Sequence, residues 1–117
     1  MDEIARTRFP RLPYVLIALG VILLLIGSYL GLFVAPRERF MGDVQRIMYV
    51  HVPTAWNALL AITFAFVCAV VSLFKADFRW DARMEGSIEV GVLLSFLLCV
   101  QGAIWAKPTW GVWWDWD

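Results

Sequence analysis

Residues 54–74 read TAWNALLAITFAFVCAVVSLF, 21 positions without a formal charge. At about 1.5 Å of rise per residue, a helix of that length covers the roughly 30 Å hydrocarbon core of a bilayer. Two other runs behave alike. Residues 14–35 hold 22 positions without a charge, and residues 86–106 carry Glu89 alone. Hydrocarbon offers no water to the backbone, so each run must close its own hydrogen bonds as a helix. The expected fold class is an all-α membrane protein with three transmembrane helices, in a single membrane domain over 1–117.

Composition agrees. Of 117 residues, 62% are hydrophobic and 17% charged. Soluble domains carry about 45–50% apolar and about 25% charged residues. Ten basic and ten acidic side chains cancel, whereas nucleic-acid binders carry a basic excess, so no nucleic-acid partner is expected. The apolar content excludes intrinsic disorder, and two cysteines are too few for a disulfide scaffold. Arg6, Arg8 and Arg11 precede the first run as in a signal peptide. A signal core spans about 7–15 residues, however, and this run is longer, so it is read as a retained span.

Basic residues set orientation. With the N-terminus inside, the inner face collects Arg6, Arg8, Arg11, Lys75, Arg79 and Arg83. The outer face collects Arg37, Arg39, Arg46 and Lys107. Six against four favours a cytoplasmic N-terminus. In either orientation spans 2 and 3 form a hairpin, so the segment before span 2 and the segment after span 3 share one face of the membrane.

Small residues recur at helix-packing spacing: Gly20, Gly27 and Gly31 in span 1, Ala58, Ala61, Ala65 and Ala69 in span 2, and Gly91, Ser95 and Gly102 in span 3. They predict close helix–helix approach and no chemistry. Between Lys75 and Glu85 the charges alternate in sign, which reads as a solvated connector. Glu89 sits near the inner end of span 3. Gln101 lies deeper and is placed to hydrogen-bond between helices. Cys68 and Cys99 fall at different depths of an antiparallel hairpin and read as buried apolar thiols.

Two segments could carry chemistry. The single histidine, His51, lies in the run Arg46-Ile47-Met48-Tyr49-Val50-His51-Val52-Pro53. Asp43 is expected to cap a short helix from Val44, on which Val44, Ile47, Met48 and His51 share a face. Pro53 fits the first turn of span 2, which puts His51 at a break between an interfacial helix and a spanning one. Imidazole there can bind haem iron or another metal, switch with pH, or simply wet its polar edge at the headgroup level.

The second segment is the C-terminal run Trp105-Ala106-Lys107-Pro108-Thr109-Trp110-Gly111-Val112-Trp113-Trp114-Asp115-Trp116-Asp117, which holds five of the seven tryptophans. An interfacial aromatic belt explains one or two tryptophans per span end. A flat aromatic shelf suits a planar conjugated ligand. Composition alone leaves both open. The hairpin places His51 and this run on the same face, and a planar ligand with a central metal, haem foremost, needs both ring surface and imidazole. No phosphate loop, zinc-finger pair or nucleophile–base set is present, so no ATP hydrolysis and no enzymatic bond-making is expected of this chain.

The run from Trp110 to Asp117 resembles the WGxWWxWD signature of cytochrome c assembly haem-handling proteins. With Trp105-Ala106-Lys107-Pro108 and Tyr49-Val50-His51-Val52-Pro53, the chain is similar, from about Arg46 to its last residue, to the haem exporter protein C (CcmC) family. The resemblance implies a six-helix inner-membrane bundle with a cytoplasmic N-terminus, of which this chain is the first half. It implies non-covalent b-type haem held at the periplasmic face between the tryptophan-rich segment and two external histidines. It also implies an ABC-type ATPase and permease complex as partner, and transfer of haem to a periplasmic haem chaperone. Onto this chain it carries His51 as the axial ligand to iron and Trp110, Gly111, Trp113, Trp114, Trp116 and Asp117 as the haem-binding segment. The family's second histidine has no counterpart among these residues, and the chain reads as an N-terminal fragment, a split product or a shortened form. Two other readings stay open: a membrane-anchor subunit of a respiratory enzyme binding haem b or quinone, and an assembly subunit whose tryptophans are a plain belt.

Overall fold

The computed structural model describes residues 11–116. Arg6, Arg8 and Asp117 lie outside them. Helix α1 is Arg11–Tyr29 and widens into one π-helical turn, Leu30–Val34. A 3-10 turn, Asp43–Ile47, runs directly into α2, Met48–Lys75, and α3 is Phe78–Trp110. The stretches Arg11–Val34, Asp43–Lys75 and Phe78–Trp110 are each long and apolar enough to cross a membrane. Their large side chains point outward: Leu23 is 69% exposed and Phe66 67%. Against water such a surface would aggregate, whereas against acyl chains it is solvated.

Helices α2 and α3 pack as an antiparallel hairpin along a seam of small residues. Ala58, Ala65 and Cys68 are buried on α2, and Gly91 and Ala106 on α3, whereas Cys99, expected to be buried, is exposed. A Cβ on Gly91 would stand 2.5 Å from Ile62 Cδ1, so any larger residue there must push the Ile62 side chain aside. Packing of this kind replaces the hydrophobic effect, which lipid does not supply between helices. The small-residue face of span 1 is used differently. A Cβ on Gly20 or Gly27 would meet no other part of the chain within 4 Å, while one on Gly31 would meet Tyr49 Cβ at 2.7 Å. Helix α1 therefore approaches α2 most closely at its C-terminal end. Elsewhere a groove of about 480 Å³ opens between Gly20, Leu24 and Gly27 on one side and Val50, Pro53 and Asn57 on the other.

Three expectations change. First, the connector at 75–85 shrinks to Ala76 and Asp77. Ala76 ends α2 in the left-handed region, φ 47°, with its N–H on Ser72 O at 3.1 Å. Asp77 Oδ1 then accepts the Arg79 N–H at 3.0 Å and starts α3. The alternating charges lie on the first turns of a helix that outruns the bilayer, since 33 residues make about 50 Å. Arg83 and Lys75 settle over the Trp80 ring, 4.7 and 5.9 Å from its centroid.

Second, no break separates an interfacial helix from span 2. Gly42 precedes the 3-10 turn, and Asp43, the expected cap, lies within it and makes no side-chain cap bond. Pro53 sits inside α2, at its sixth residue. It forfeits the hydrogen bond to the Tyr49 carbonyl without ending the helix. Third, the 3-10 pitch rotates Val44 and Ile47 away from His51, so the two groups line different cavities.

Asp43 instead joins an ion-pair cluster. Its Oδ2 lies 2.9 Å from Arg37 Nη2 and its Oδ1 3.3 Å from Arg46 Nε. The same Arg46 guanidinium donates from Nη1 to Leu32 O at 2.9 Å and from Nη2 to Ala35 O at 3.0 Å. The last carbonyls of a helix have no partner within it and carry its negative dipole end. Arg46 fills that need for α1 and clamps it to the start of α2.

Candidate functional site

The ends of α2 and α3 and the C-terminal tail meet on one face of the molecule. His51 is the fourth residue of α2. Helix α3 carries Trp105 and Trp110 on its last two turns and ends at Gly111, whose φ of +82° belongs to the left-handed region that glycine enters without strain. The Gly111 N–H bonds Lys107 O at 3.0 Å, and Lys107 Nζ returns to Gly111 O at 2.8 Å. This closure turns the chain back, so Trp113, Trp114 and Asp115 come up opposite His51.

The result is a cavity of about 310 Å³ lined by His51, Trp105, Trp110, Trp113, Trp114 and Asp115, with Cys99, Gly102, Ala103, Ala106 and Val112 filling its walls. The volume is at the lower end of the roughly 300–1,000 Å³ of small-molecule sites. Gly102 lies against the imidazole, where a Cβ would make an ordinary van der Waals contact with His51 Cε1 at 3.6 Å. His51 Nδ1 is sealed from solvent and has no hydrogen-bond partner among the described residues.

The predicted flat shelf is not formed. Trp105 and Trp110 meet edge to face at 4.9 Å and 81°, and Trp114 and Trp116 at 5.6 Å and 71°. The indole quadrupole favours such tilted pairs over a stacked floor. The tryptophans build walls and a rim. Trp110, Trp113 and Trp114 stay 54–66% exposed while lining the cavity. Of the expected residues, the cavity brings together His51, Trp110, Trp113 and Trp114. Gly111 acts through the turn it makes, Trp116 braces Trp114 from outside, and Asp117 lies outside the described residues.

Trp105, Gly102 and Arg46 were not singled out as site residues. Trp105 stands between two cavities: on its other side one of about 490 Å³ is lined by Leu32, Val44, Arg46, Ile47, Ile104 and Pro108 among others. A tryptophan facing inward at Gln101+4 is visible in the sequence, whereas the Arg46 clamp depends on a fold partner in another span. Gln101, expected to bond between helices, does so: its Nε2 lies 3.4 Å from Thr54 Oγ1 on α2. Among the described residues no group of three or more His, Cys, Asp or Glu side chains could hold a bare metal ion. One imidazole can ligate only a metal that arrives with ligands of its own.

Fold and site define a class: a multi-span helical membrane protein with an imidazole and an indole-walled cavity at one membrane face. The family is more specific. The model of the "Heme exporter protein C" family matches residues 4–117, and the chain belongs to that family. It is 40% identical over 99 residues to "Heme exporter protein C" of Haemophilus influenzae, covering 85% of this chain and 40% of that protein. It is 33% identical over 107 residues to the protein of the same name from Escherichia coli K12, covering 91% of this chain and 43% of that one. A "Putative cytochrome c biosynthesis ccmC-like mitochondrial protein" of Marchantia polymorpha is 33% identical over 107 residues, 92% of this chain and 47% of its own length. The chain thus spans less than half the length of these relatives. No solved structure matches it.

Proposed function

We propose that this chain is the haem-presenting part of a haem export system for cytochrome c maturation. Haem is its cargo, held non-covalently in b-type form. The observation that carries the reading is the shared cavity: the chain's one imidazole and Trp110, Trp113 and Trp114 line the same space. His51 supplies an axial nitrogen to the iron. The indole walls bury the apolar ring and keep water from the metal, while their exposed rim leaves the cargo open to a receiving protein. Nothing in this set requires bond-making by the chain, and binding followed by handover accounts for every group. In this reading the cavity faces the periplasm, the receiver is a periplasmic haem chaperone, and an ABC-type ATPase and permease complex works alongside.

The test is reconstitution of the full-length protein in lipid nanodiscs with haem, with Soret spectra of wild type and His51→Ala. A displaced Soret band and loss of haem on desalting are expected for His51→Ala. Identical spectra and retention would remove His51 as ligand. Transfer to the chaperone is scored separately, as covalent haem on the acceptor after mixing.

A further inference from the structure

Three side-chain atoms along the α2–α3 seam are sealed from solvent without a hydrogen-bond partner among the described residues: His51 Nδ1, Gln101 Oε1 and Trp105 Nε1. Buried polar atoms are rarely left so, and each such group calls for a partner. All three belong to the end of the hairpin where the start of α2 meets the last turns of α3. Gln101 and Trp105 are four residues apart on α3 and share a face. His51 and Thr54 are three apart on α2, and Gln101 Nε2 reaches Thr54 Oγ1 at 3.4 Å. Gly102, beside Gln101, faces the His51 ring at Cε1. Their chemistry is complementary. Indole N–H can only donate, the amide oxygen can only accept and has two lone pairs, and an imidazole bound to metal through Nε2 must carry its proton on Nδ1.

We propose that Gln101 is the positioning residue of the haem-ligating histidine: one buried water accepts the Nδ1–H of His51 and donates to the Gln101 amide oxygen. This rests on the reading of His51 as haem ligand. The Gln101–Thr54 contact fixes the amide, the amide fixes the tautomer, and Nε2 is left facing the cavity. Ligating histidines characteristically give their second N–H to such an acceptor, which orients the ring and raises its basicity. Gln101 does not touch the cargo and acts only through the imidazole.

The experiment uses full-length haem-loaded protein in nanodiscs. Fe–histidine stretching frequency is read by resonance Raman, and reduction midpoint by spectroelectrochemistry, in wild type, Gln101→Leu and Gln101→Glu. A lost acceptor weakens the donor power of the imidazole and a carboxylate strengthens it. The expected result is a fall in frequency and a rise in midpoint for Leu, the reverse for Glu, and roughly ten-fold weaker haem retention for Leu. Gln101→Met, which keeps the length of the side chain, replaces Leu should that variant not fold. A merely structural role would shift both variants in the same direction. Shifts of the same sign, or none in either variant, overturn the proposal while His51→Ala still alters the Soret band. If His51→Ala leaves the spectrum unchanged, the ligand reading fails and this one falls with it.

Discussion

Replacing Arg46 by alanine should loosen the first span from the hairpin. The guanidinium makes two charge-assisted bonds to the Leu32 and Ala35 carbonyls, in and just after the π turn that ends span 1, at 2.9 and 3.0 Å, and its side chain is 24% exposed. Hydrogen bonds to a charged donor contribute about 1.5–3 kcal/mol each, or about 3–6 kcal/mol for two before correction. Partial exposure lets water reach the freed carbonyls, and Asp43 keeps Arg37 as a partner. A net loss of about 2–3 kcal/mol is therefore expected. Arg46→Lys, with a single point charge and no fork, should recover less than half of it. Reversible unfolding in mixed detergent micelles measures the difference, and thiol accessibility of a cysteine placed at Leu32 locates it. An Arg46→Ala variant within about 0.5 kcal/mol of wild type, the range of an ordinary surface change, would refute the clamp.

Other outcomes follow from the same structure. Ala76→Gly should stabilise the hairpin by about 1 kcal/mol, because Ala76 holds φ 47° and glycine enters that region without a Cβ clash; equal or lower stability in the same micelle titration would count against the turn. Gly91→Leu should separate α2 from α3, and shortening the facing side chain with Ile62→Ala should restore part of the loss; a double-mutant cycle with no coupling would contradict the close approach. The Glu38 carboxyl is held below its ordinary value by the N–H groups of Met41 first and Phe40 second. Its contribution to loop order is thus complete above the ordinary carboxylate range and lost as pH falls through the lowered value. Protection factors of the Phe40 and Met41 amides, with the pH dependence of intrinsic exchange divided out, should be flat from about pH 7 to 5 and fall only below, and Glu38→Gln should abolish that acid step. Trp113→Leu with Trp114→Leu should lower haem retention by an order of magnitude while leaving unfolding within about 1 kcal/mol, since both rings are more than half exposed; unchanged retention would reduce the tryptophans to a belt.

What was legible in the sequence follows from what membranes make simple. Hydrocarbon forbids open backbone, so three uncharged runs were enough to specify three helices, and hairpin topology was enough to bring His51 and the tryptophan run to one face. Details that depend on local competition were not legible. Whether Asp77 would cap a helix inside a run of alternating charges, or Pro53 would be absorbed by α2, is decided by neighbouring turns that no single residue announces. The glycine face of span 1 promised contact along its length, yet only Gly31 delivers it, because Arg46 draws α1 in at one end. The tryptophan count suggested a stacked surface, but Trp105 and Trp110 meet edge to face at the end of α3, the arrangement the indole quadrupole favours.

The turn of two residues between α2 and α3 has a mechanical consequence. With so little slack, neither rod can slide past the other by a helical pitch, and a register fixed at Ala76 is reproduced some 40 Å away, by helix rise, where His51 faces Gly102. The mouth of the cavity therefore keeps its alignment before any cargo arrives, and mutations at the distant bend should be felt there as misalignment.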